Sequence, residues 1–286
     1  MKFFTMLKKL FWISRPISWP NTAYPFAVGY LLTGGSIDLT LIIGTLYFLG
    51  PYNLLMYGIN DVFDYESDIK NPRKGGVEGM REERAFHPTV VKAAIYSNAP
   101  FLIYLLLIGD WAARLTLVIV TFSVIAYSMK GLRFKEKPVL DSATSSLHFV
   151  GPLVFALALT GFPAYAWGFV LAFFIWGMAS HAFGAVQDIV PDKKGGIASI
   201  ATFLGARRTM WFAYLMYLVA AFVVYLQGGA YIAIALVGIA YAFNISSYLT
   251  VTEKTSTTVN KAWKRFLWLN YCAGAVVTIV IIGQFL

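Results

Sequence analysis

Residues 41–68 read LIIGTLYFLGPYNLLMYGINDVFDYESD, an apolar run that leads directly into three aspartates. A helix needs about 20 apolar residues to cross the hydrocarbon core of a bilayer, so residues 41–62 are predicted to span a membrane. At 100° per residue, Asp61, Asp64 and Asp68 fall within about 60° of one another on that helix. A charge at the bilayer centre costs roughly 2.5–3.5 kcal/mol. Carboxylates clustered at the end of a span therefore indicate a functional site.

The composition places the whole chain in a membrane. Of its 286 residues, 58% are hydrophobic and 13% are charged, about half the ~25% charged fraction of a soluble domain. Prolines 16, 20 and 25 interrupt the first apolar segment, and short turns at 109–110 and 228–229 leave eight or ten spans as alternatives. The prediction is an all-α polytopic membrane protein with nine transmembrane helices in one domain over residues 1–286. The nine segments are 16–34, 41–62, 91–109, 111–129, 139–160, 165–187, 208–227, 229–251 and 262–285.

The basic residues predict the orientation in the membrane. Of the 23 Lys and Arg residues, all except Arg114 precede the first span or follow an even-numbered one. By the positive-inside rule, the N-terminus and these loops are cytoplasmic and the C-terminus is outside, in a cell membrane. Because the basic residues are spread over every inner loop, the net charge of +9 is a topology signal and gives no case for nucleic acid. The basic, amphipathic segment 1–12 lacks a cleavage site and is not read as a signal peptide; such a segment can lie on the membrane surface.

A second acidic pair, Asp188 and Asp192, lies one helical turn apart at the end of the sixth segment. The loops that follow the two clusters are similar, DIKNPRKGGV over 68–77 and DIVPDKKGGI over 188–197. This 120-residue offset hints at a pseudo-repeat with halves of about 16–129 and 139–251, followed by the helix 262–285. An offset of 124 residues aligns the two Asp-x-x-x-Asp pairs instead, and the sequence does not choose between them.

The chemistry that suits these residues is magnesium–diphosphate binding. Mg²⁺ prefers oxygen ligands and binds through one or two carboxylates plus substrate phosphates. Two aspartate clusters on separate helices can each hold Mg²⁺ on opposite sides of one diphosphate. The single cysteine, Cys272, excludes a cysteine-based metal site. The predicted catalytic and metal-binding residues are Asp61, Asp64, Asp68, Asp188 and Asp192.

Basic residues on the same side of the membrane would neutralise the remaining phosphate charge, and the Gly pairs 75–76 and 195–196 could turn backbone N–H groups toward it. His181 lies seven residues before Asp188 on the same helical face. The predicted substrate-binding residues are Asn60, Arg73, Lys74, Lys130, Arg133, Lys193 and His181, with Lys194 beside them.

Structural explanations of these residues remain open. The aspartates could be solvated anchors at helix ends, although carboxylates are sparse in the other inner loops. Topology alone accounts for most of the lysines and arginines. A histidine within a span, such as His181 or His148, is more often a hydrogen-bonded packing residue than a ligand.

The two clusters also carry a family resemblance. Asn60-Asp61-x-x-Asp64-x-x-x-Asp68 and Asp188-x-x-x-Asp192, with Tyr127-x-x-Lys130 and Arg133 between them, resemble the motifs of UbiA-type intramembrane prenyltransferases. The segments 20–26 (PNTAYPF), 71–79 (NPRKGGVEG) and 176–180 (WGMAS) resemble the lycopene elongase subgroup of that family. The sequence departs from the family pattern at Pro191, where many members have Gly before the last aspartate.

The resemblance implies a UbiA-like helical bundle with Mg²⁺ as the cofactor and a cytoplasmic diphosphate site that opens onto a lipid-accessible cavity. It further implies dimethylallyl diphosphate (DMAPP) as the donor, lycopene or a related apolar molecule as the acceptor, and membrane lipids as the surroundings. Two alternatives are an aromatic prenyltransferase of quinone or related lipid biosynthesis and a membrane transporter. Transporter ion sites usually lie near the bilayer midplane, whereas these carboxylates end helices at its edge.

Overall fold

The computed structural model describes residues 3–69, 75 and 80–285, and the regular structure in that part of the chain is entirely helical. Short 3₁₀ turns join several of the helices. The α-helices are α1 (Phe3–Ile13), α2 (Pro20–Leu32), α3 (Leu39–Leu49), α4 (Pro51–Phe63), α5 (Tyr65–Asp68), α6 (His87–Ile108), α7 (Trp111–Ser128), α8 (Leu140–Leu159), α9 (Ala166–Val186), α10 (Ile189–Gly195), α11 (Ile200–Leu204), α12 (Ala206–Tyr225), α13 (Ile232–Ser246) and α14 (Asn260–Phe285).

Among the described residues, eight helical segments are long and apolar enough to cross a membrane. This agrees approximately with the nine predicted spans, and the difference is the first segment. There the chain forms a 3₁₀ turn over Pro16–Ser18 and then α2, which has only 13 residues. Proline lacks the backbone N–H that a helix interior requires, so Pro16 and Pro20 each stand at a helix start. The eight segments are Leu39–Phe63, Arg84–Ile108, Trp111–Ser128, Leu140–Leu159, Ala166–Val186, Ala206–Tyr225, Gly229–Ser246 and Glu253–Gly283.

The span that carries the first aspartates is built from two helices in series. Asp38 caps the start of helix α3: its carboxylate accepts a hydrogen bond from the Leu41 backbone N–H (2.9 Å), and that bond lowers the pKa of Asp38. The helix is interrupted at Gly50, and α4 starts at Pro51 in the first-turn position that proline favours. The Leu54 N–H still donates to the Gly50 carbonyl at 2.9 Å, so the span continues through the break.

The chain divides into two compact units, each with its own apolar core. The first unit comprises Met1–Phe134 and Leu147–Pro163, and the second comprises Lys135–Ser146 and Ala164–Leu286. In the first, fully buried aromatic rings pack together, namely those of Phe26, Tyr47, Phe48, Tyr52 and Phe155.

In the second unit the core is formed by α9, α12, α13 and the start of α14, around Phe183, Tyr217 and Tyr241. Helix α9 also approaches the start of α8 very closely. A Cβ on Gly177 would lie 2.3 Å from the Ser146 hydroxyl oxygen. Only glycine fits at this contact, which fixes the position of the polar residues that precede Ser146 on α8.

Candidate active site

The three aspartates of the first cluster are all buried, with exposures of 8% for Asp61, 5% for Asp64 and 6% for Asp68. They do not lie on one uninterrupted helix, because α4 ends at Phe63 and Asp64 adopts φ −99° and ψ 0°. The Asp68 N–H nevertheless donates to the Asp64 carbonyl at 2.8 Å, so α5 continues the helical spacing past the bend. Burial of three carboxylates demands compensating charge or hydrogen bonds.

Asp64 is held by Asn60 on the preceding helix α4 and by Arg133 in the turn that follows α7. The Asn60 side-chain amide donates to its carboxylate at 2.8 Å and lies 2.9 Å from the hydroxyl of buried Ser128. The Arg133 guanidinium lies 3.7 Å from the other carboxylate oxygen. Arg133 has a positive φ of 40°, an uncommon conformation for a residue other than glycine. The structure therefore brings three predicted residues, Asn60, Asp64 and Arg133, into one cluster.

Asp61 has a partner that the sequence does not single out. Arg15, the residue before Pro16, donates to one Asp61 oxygen at 2.7 Å, and the Met80 backbone N–H donates to the other at 3.2 Å. The Arg15 guanidinium also lies 4.2 Å from the centre of the Tyr57 ring, a cation–π contact. Arg15 counts in the sequence only as one of many basic residues at a membrane boundary, so no signal distinguishes it.

Contacts from α1 and from the residues before α6 surround this pair. Ile13 is 1% exposed, and Lys9 forms an ion pair with Glu82 and lies over the Phe86 ring. Together these contacts fix the chain near Asp61 and the end of α1, two residues before Arg15.

The second cluster uses a similar helix break. Helix α9 ends at Val186, and Asp188 precedes α10 with φ −97° and ψ −1°. The Asp192 N–H donates to the Asp188 carbonyl at 2.9 Å. Pro191 is in the first turn of α10, where its missing N–H would have no partner within the helix. The departure from the family pattern at this position is thus compatible with a regular helical turn.

Next to Asp188, the Gln187 side chain is 4% exposed and accepts a hydrogen bond from Asn260 at 2.7 Å. Its amide nitrogen is buried and finds no acceptor among the described residues. A buried donor at this position is a second feature that the sequence motifs do not reveal. Lys193, by contrast, is exposed and donates to Glu253 at 2.7 Å.

His181 is half-buried and belongs to a polar chain within the second unit. Its Nδ1 atom lies 3.0 Å from the Ser142 hydroxyl oxygen, which in turn lies 3.3 Å from a carboxylate oxygen of Asp141. Asp141 is fully buried and also accepts from the backbone N–H groups of Ser142 (2.7 Å) and Ile200 (2.6 Å).

The other predicted residues are dispersed. Lys130, in the turn after α7, and Lys194, in the last turn of α10, are both exposed. Arg73 and Lys74 lie outside the described residues. His148 is buried, with its Nε2 atom 3.3 Å from the Ser123 carbonyl oxygen, as expected of a packing residue.

The carboxylate oxygens of the two clusters suit a hard divalent cation whose remaining ligands include phosphate oxygens of a substrate. Each cluster presents carboxylates, but no three His, Cys, Asp or Glu side chains among the described residues are grouped as a ready-made ion cage. Mg²⁺ commonly takes only one or two carboxylates and completes its coordination with waters and substrate phosphates. The residues present therefore fit Mg²⁺ together with a diphosphate.

Comparison with known proteins decides the family. Residues 22–270 match the model of the UbiA prenyltransferase family. The chain belongs to this family. The UbiA assignment confirms the predicted prenyltransferase class and the integral membrane location, and it argues against a transporter.

Two curated relatives cover nearly all of this UbiA chain. It is 49% identical over 285 residues to the C(50) beta-cyclic carotenoids biosynthesis protein LbtBC of Dietzia sp. (strain CQ4), spanning 98% of this chain but only 66% of that protein. It is 47% identical over 273 residues to the lycopene elongase/hydratase of Corynebacterium glutamicum, spanning 94% of this chain and 95% of that protein.

The fold is also that of a solved UbiA homolog. The structure of a UbiA homolog from Archaeoglobus fulgidus bound to DMAPP and Mg²⁺ matches with a TM-score of 0.69 and 22% identity. The match covers 94% of this chain and 99% of that one, so the predicted UbiA-like helical fold is confirmed.

Proposed function

We propose that this UbiA-family enzyme is a lycopene elongase, which transfers the five-carbon group of DMAPP to an end of lycopene. The observation that carries the proposal is the 47% identity, over nearly the whole of both chains, to a lycopene elongase/hydratase. The Dietzia relative supports it, since its name refers to carotenoids of 50 carbons.

In this proposal the first cluster binds one side of the diphosphate. Asp61, Asp64 and Asp68 supply the oxygens for Mg²⁺, and Asn60 and Arg133 orient the Asp64 carboxylate. When bound, Mg²⁺ neutralises the diphosphate and assists its departure as a leaving group. The burial of the carboxylates strengthens their electrostatic effect because water screens them less.

The second cluster would serve the opposite side of the diphosphate. Asp188 and Asp192 are its carboxylates, and the buried Gln187 amide is positioned beside them as a donor. The basic residues proposed to neutralise the phosphate oxygens are Arg73, Lys74, Lys130, Lys193 and Lys194. To bind the phosphate, Lys193 would have to leave its ion pair with Glu253. Breaking that pair costs little free energy, because both side chains are about half-exposed.

The polar residues within the spans favour a hydrocarbon acceptor over a phenolic acid. A phenolic acid needs a fixed cation or amide near the reacting ring, and Asn53 is an amide in this part of the chain. Its nitrogen already donates to the Thr22 hydroxyl and to the Phe48 carbonyl, both at 2.8 Å. The amide nitrogen of Asn98 likewise donates to backbone carbonyls, those of Pro51 and Ala94. These groups stabilise helix packing, and an apolar polyene requires no such anchor.

Expression in a lycopene-producing host tests the proposal. We expect carotenoids longer than lycopene by one or two five-carbon units. The variants Asp64→Asn and Asp188→Asn should reduce their yield by at least about a hundredfold, because each removes charge from a different cluster. Asp38→Asn is the matched control, since asparagine caps helices as well as aspartate does and Asp38 is outside both clusters.

Two results would contradict parts of the proposal. Unaltered lycopene together with a prenylated phenolic product would assign the enzyme to the aromatic alternative. Normal activity of either cluster variant, or full activity of membranes in excess EDTA, would exclude the magnesium–diphosphate site.

A further inference from the structure

The second acidic cluster lies at a break between two helices, and the helix after the break is short. The Asp188 N–H donates to the Ala185 carbonyl at 3.1 Å, three residues back instead of the four of an α-helix, so the helical ladder is interrupted there. Helix α10 has seven residues and ends at Gly196, whose φ is 70°. So short a helix has little stability of its own. Contacts from other segments must therefore fix its direction, and with it the direction of Asp188 and Asp192.

Before the break, the end of α9 is in close antiparallel contact with the start of α14. A Cβ on Gly184 would lie 2.8 Å from a ring carbon of Trp263, so the two helices approach closely there. Three residues after Gly184 and three before Trp263, the Asn260 amide donates to the Gln187 side-chain oxygen at 2.7 Å. The two contacts are consecutive positions of one antiparallel register, which reaches the residue directly before Asp188.

The same register continues on the far side of the break. Lys193 follows Gln187 by six residues, and its partner Glu253 precedes Asn260 by seven; the charged atoms of this ion pair are 2.7 Å apart. The residues that connect the two partners form a 3₁₀ segment that packs against α10. We call residues 253–260 the brace. The brace therefore contacts the chain on both sides of the two aspartates.

The two contacts of the brace differ in burial. Gln187 is buried, and among the described residues its side chain makes a single hydrogen bond, the one from Asn260. A buried amide that loses such a partner is left with unsatisfied polar atoms, which is costly. The side chains of Lys193 and Glu253 are about half-exposed, and an ion pair of that kind contributes little. The bond between Asn260 and Gln187 is thus the contact that holds the break.

We propose that Asn260 is a positioning residue for the second acidic cluster; the inference rests on the proposed function. By holding Gln187, Asn260 fixes the backbone at the break, so that Asp188 and Asp192 present their carboxylates together to Mg²⁺ and diphosphate. In this role Asn260 acts through Gln187 and touches neither the ion nor the diphosphate. Residues that orient metal ligands typically change metal affinity or activity by about 10- to 100-fold when they are removed.

The test is a Mg²⁺ titration of the purified protein in detergent, with inorganic diphosphate at a constant concentration. Ligands that bind the folded protein raise its unfolding temperature, so the Mg²⁺ concentration at half of the rise, the Mg²⁺ midpoint, measures binding without turnover. In Asn260→Ala we expect the Mg²⁺ midpoint to increase by about tenfold or more. The Mg²⁺ dependence of lycopene elongation in lipid vesicles should shift equally, and the rate at saturating Mg²⁺ should stay within about threefold because every ligand remains.

Asn244→Ala is the matched control for loss of a buried amide. Asn244 lies on α13, and its amide nitrogen donates to the Ala262 carbonyl on α14 at 3.0 Å. This variant should lower the unfolding temperature without Mg²⁺ as Asn260→Ala does, yet leave the Mg²⁺ midpoint within about twofold. Glu253→Gln tests the exposed contact of the brace and should change the midpoint by less than about threefold.

Gln187→Met removes the same hydrogen bond from the other side. Methionine is flexible and fills a similar volume without a polar group that needs a partner, so this variant tests the bond even if Asn260→Ala does not fold. We expect its Mg²⁺ midpoint to increase by about tenfold or more as well. Because Asn260 acts through Gln187, adding Asn260→Ala to Gln187→Met should change the midpoint by less than about twofold.

The possible results separate this role from the proposed function. If the midpoint of Asn260→Ala equals that of Asn244→Ala, or if the effects of Asn260→Ala and Gln187→Met multiply in the double variant, Asn260 does not position the cluster. If Mg²⁺ and diphosphate do not raise the unfolding temperature of the unchanged protein, the magnesium–diphosphate site itself is wrong. Normal Mg²⁺ binding by the unchanged protein without any elongated carotenoid would overturn only the proposed acceptor.

Discussion

Replacing Arg15 with methionine should destabilise the protein in the absence of Mg²⁺ and leave a deficit that Mg²⁺ partly repairs. Methionine retains the apolar contact with the Tyr57 ring and removes the charge that faces Asp61. The two side chains are 14% and 8% exposed, and their atoms are 2.7 Å apart. The ion pair is therefore a buried one, for which loss of a single partner leaves an uncompensated charge.

The expected cost follows from that geometry. Breaking a buried pair by removing one partner costs roughly 3–5 kcal/mol. The lower end of this range of free energies applies, because the Met80 N–H still donates to Asp61 and some solvent reaches Arg15. A loss of about 3 kcal/mol corresponds to a fall of about 6 °C or more in the unfolding temperature at ~2 °C per kcal/mol. Arg84→Met is the matched control: Arg84 also lies over a tyrosine ring, that of Tyr65, and its ion pair with Glu66 is exposed, so that pair should contribute less than about 1 kcal/mol.

Thermal unfolding in detergent, with and without Mg²⁺, measures these differences. Mg²⁺ should raise the unfolding temperature more in Arg15→Met than in the unchanged protein, because the ion replaces the missing positive charge beside Asp61. Adding Asp61→Asn to Arg15→Met should recover about 2 kcal/mol, since neither charge then remains buried alone. If Arg15→Met is as stable as Arg84→Met and the double variant recovers nothing, the Arg15–Asp61 pair does not neutralise a buried charge.

Two further predictions concern topology and helix packing. Reporter fusions should indicate the cytoplasm after positions 75, 136, 195 and 256 and the opposite side near 36, 162 and 286; a cytoplasmic C-terminus would contradict the positive-inside assignment. Gly177→Ala should lower the free energy of unfolding by about 1–3 kcal/mol, because its methyl group would overlap Ser146. Gly274→Ala, where a Cβ meets nothing within 4 Å, should have little effect in the same denaturation assay.

The spans could be predicted because length and hydropathy are properties of the sequence alone. The predicted span 41–62 corresponds to Leu39–Phe63 in the structure, and the predicted span 165–187 corresponds to Ala166–Val186. The first segment fits less well, since proline restricts the backbone locally and hydropathy averages over that restriction. Only coordinates reveal that the chain there forms a 3₁₀ turn and a short helix.

Sequence reasoning singled out the acidic clusters and His181 but missed several of the residues that contact them. Aspartates at the end of an apolar run are conspicuous because charge is rare in a membrane span. Arg15 is 46 residues from Asp61, and a long-range ion pair has no spacing rule. Ser142 and Asp141 are equally inconspicuous, at the start of a span where polar residues are ordinary. The close contact of α8 with α9 at Gly177 brings Ser142 near His181.

The sequence does not choose between the two possible offsets of the internal repeat. From the backbone dihedral angles we infer an offset of 124 residues. Asp64 and Asp188, 124 positions apart, have nearly identical dihedral angles (−99°, 0° and −97°, −1°), and each precedes a short helix. Arg15 and Val139, also 124 apart, both have a positive φ directly before a helical segment begins.

At this offset the residue that corresponds to Asp61 is Ala185, and the one that corresponds to Arg15 is Val139. In the inferred alignment, both charged members of the ion pair are thus matched by apolar residues. Such joint replacement is what the energetics require, since either charge alone would remain buried without compensation. The aspartates at 64 and 68 have counterparts at 188 and 192 in both position and backbone geometry. In the inferred repeat, each half would present two carboxylates at a helix break, and the first would have in addition Asp61 with Arg15 as its counter-ion.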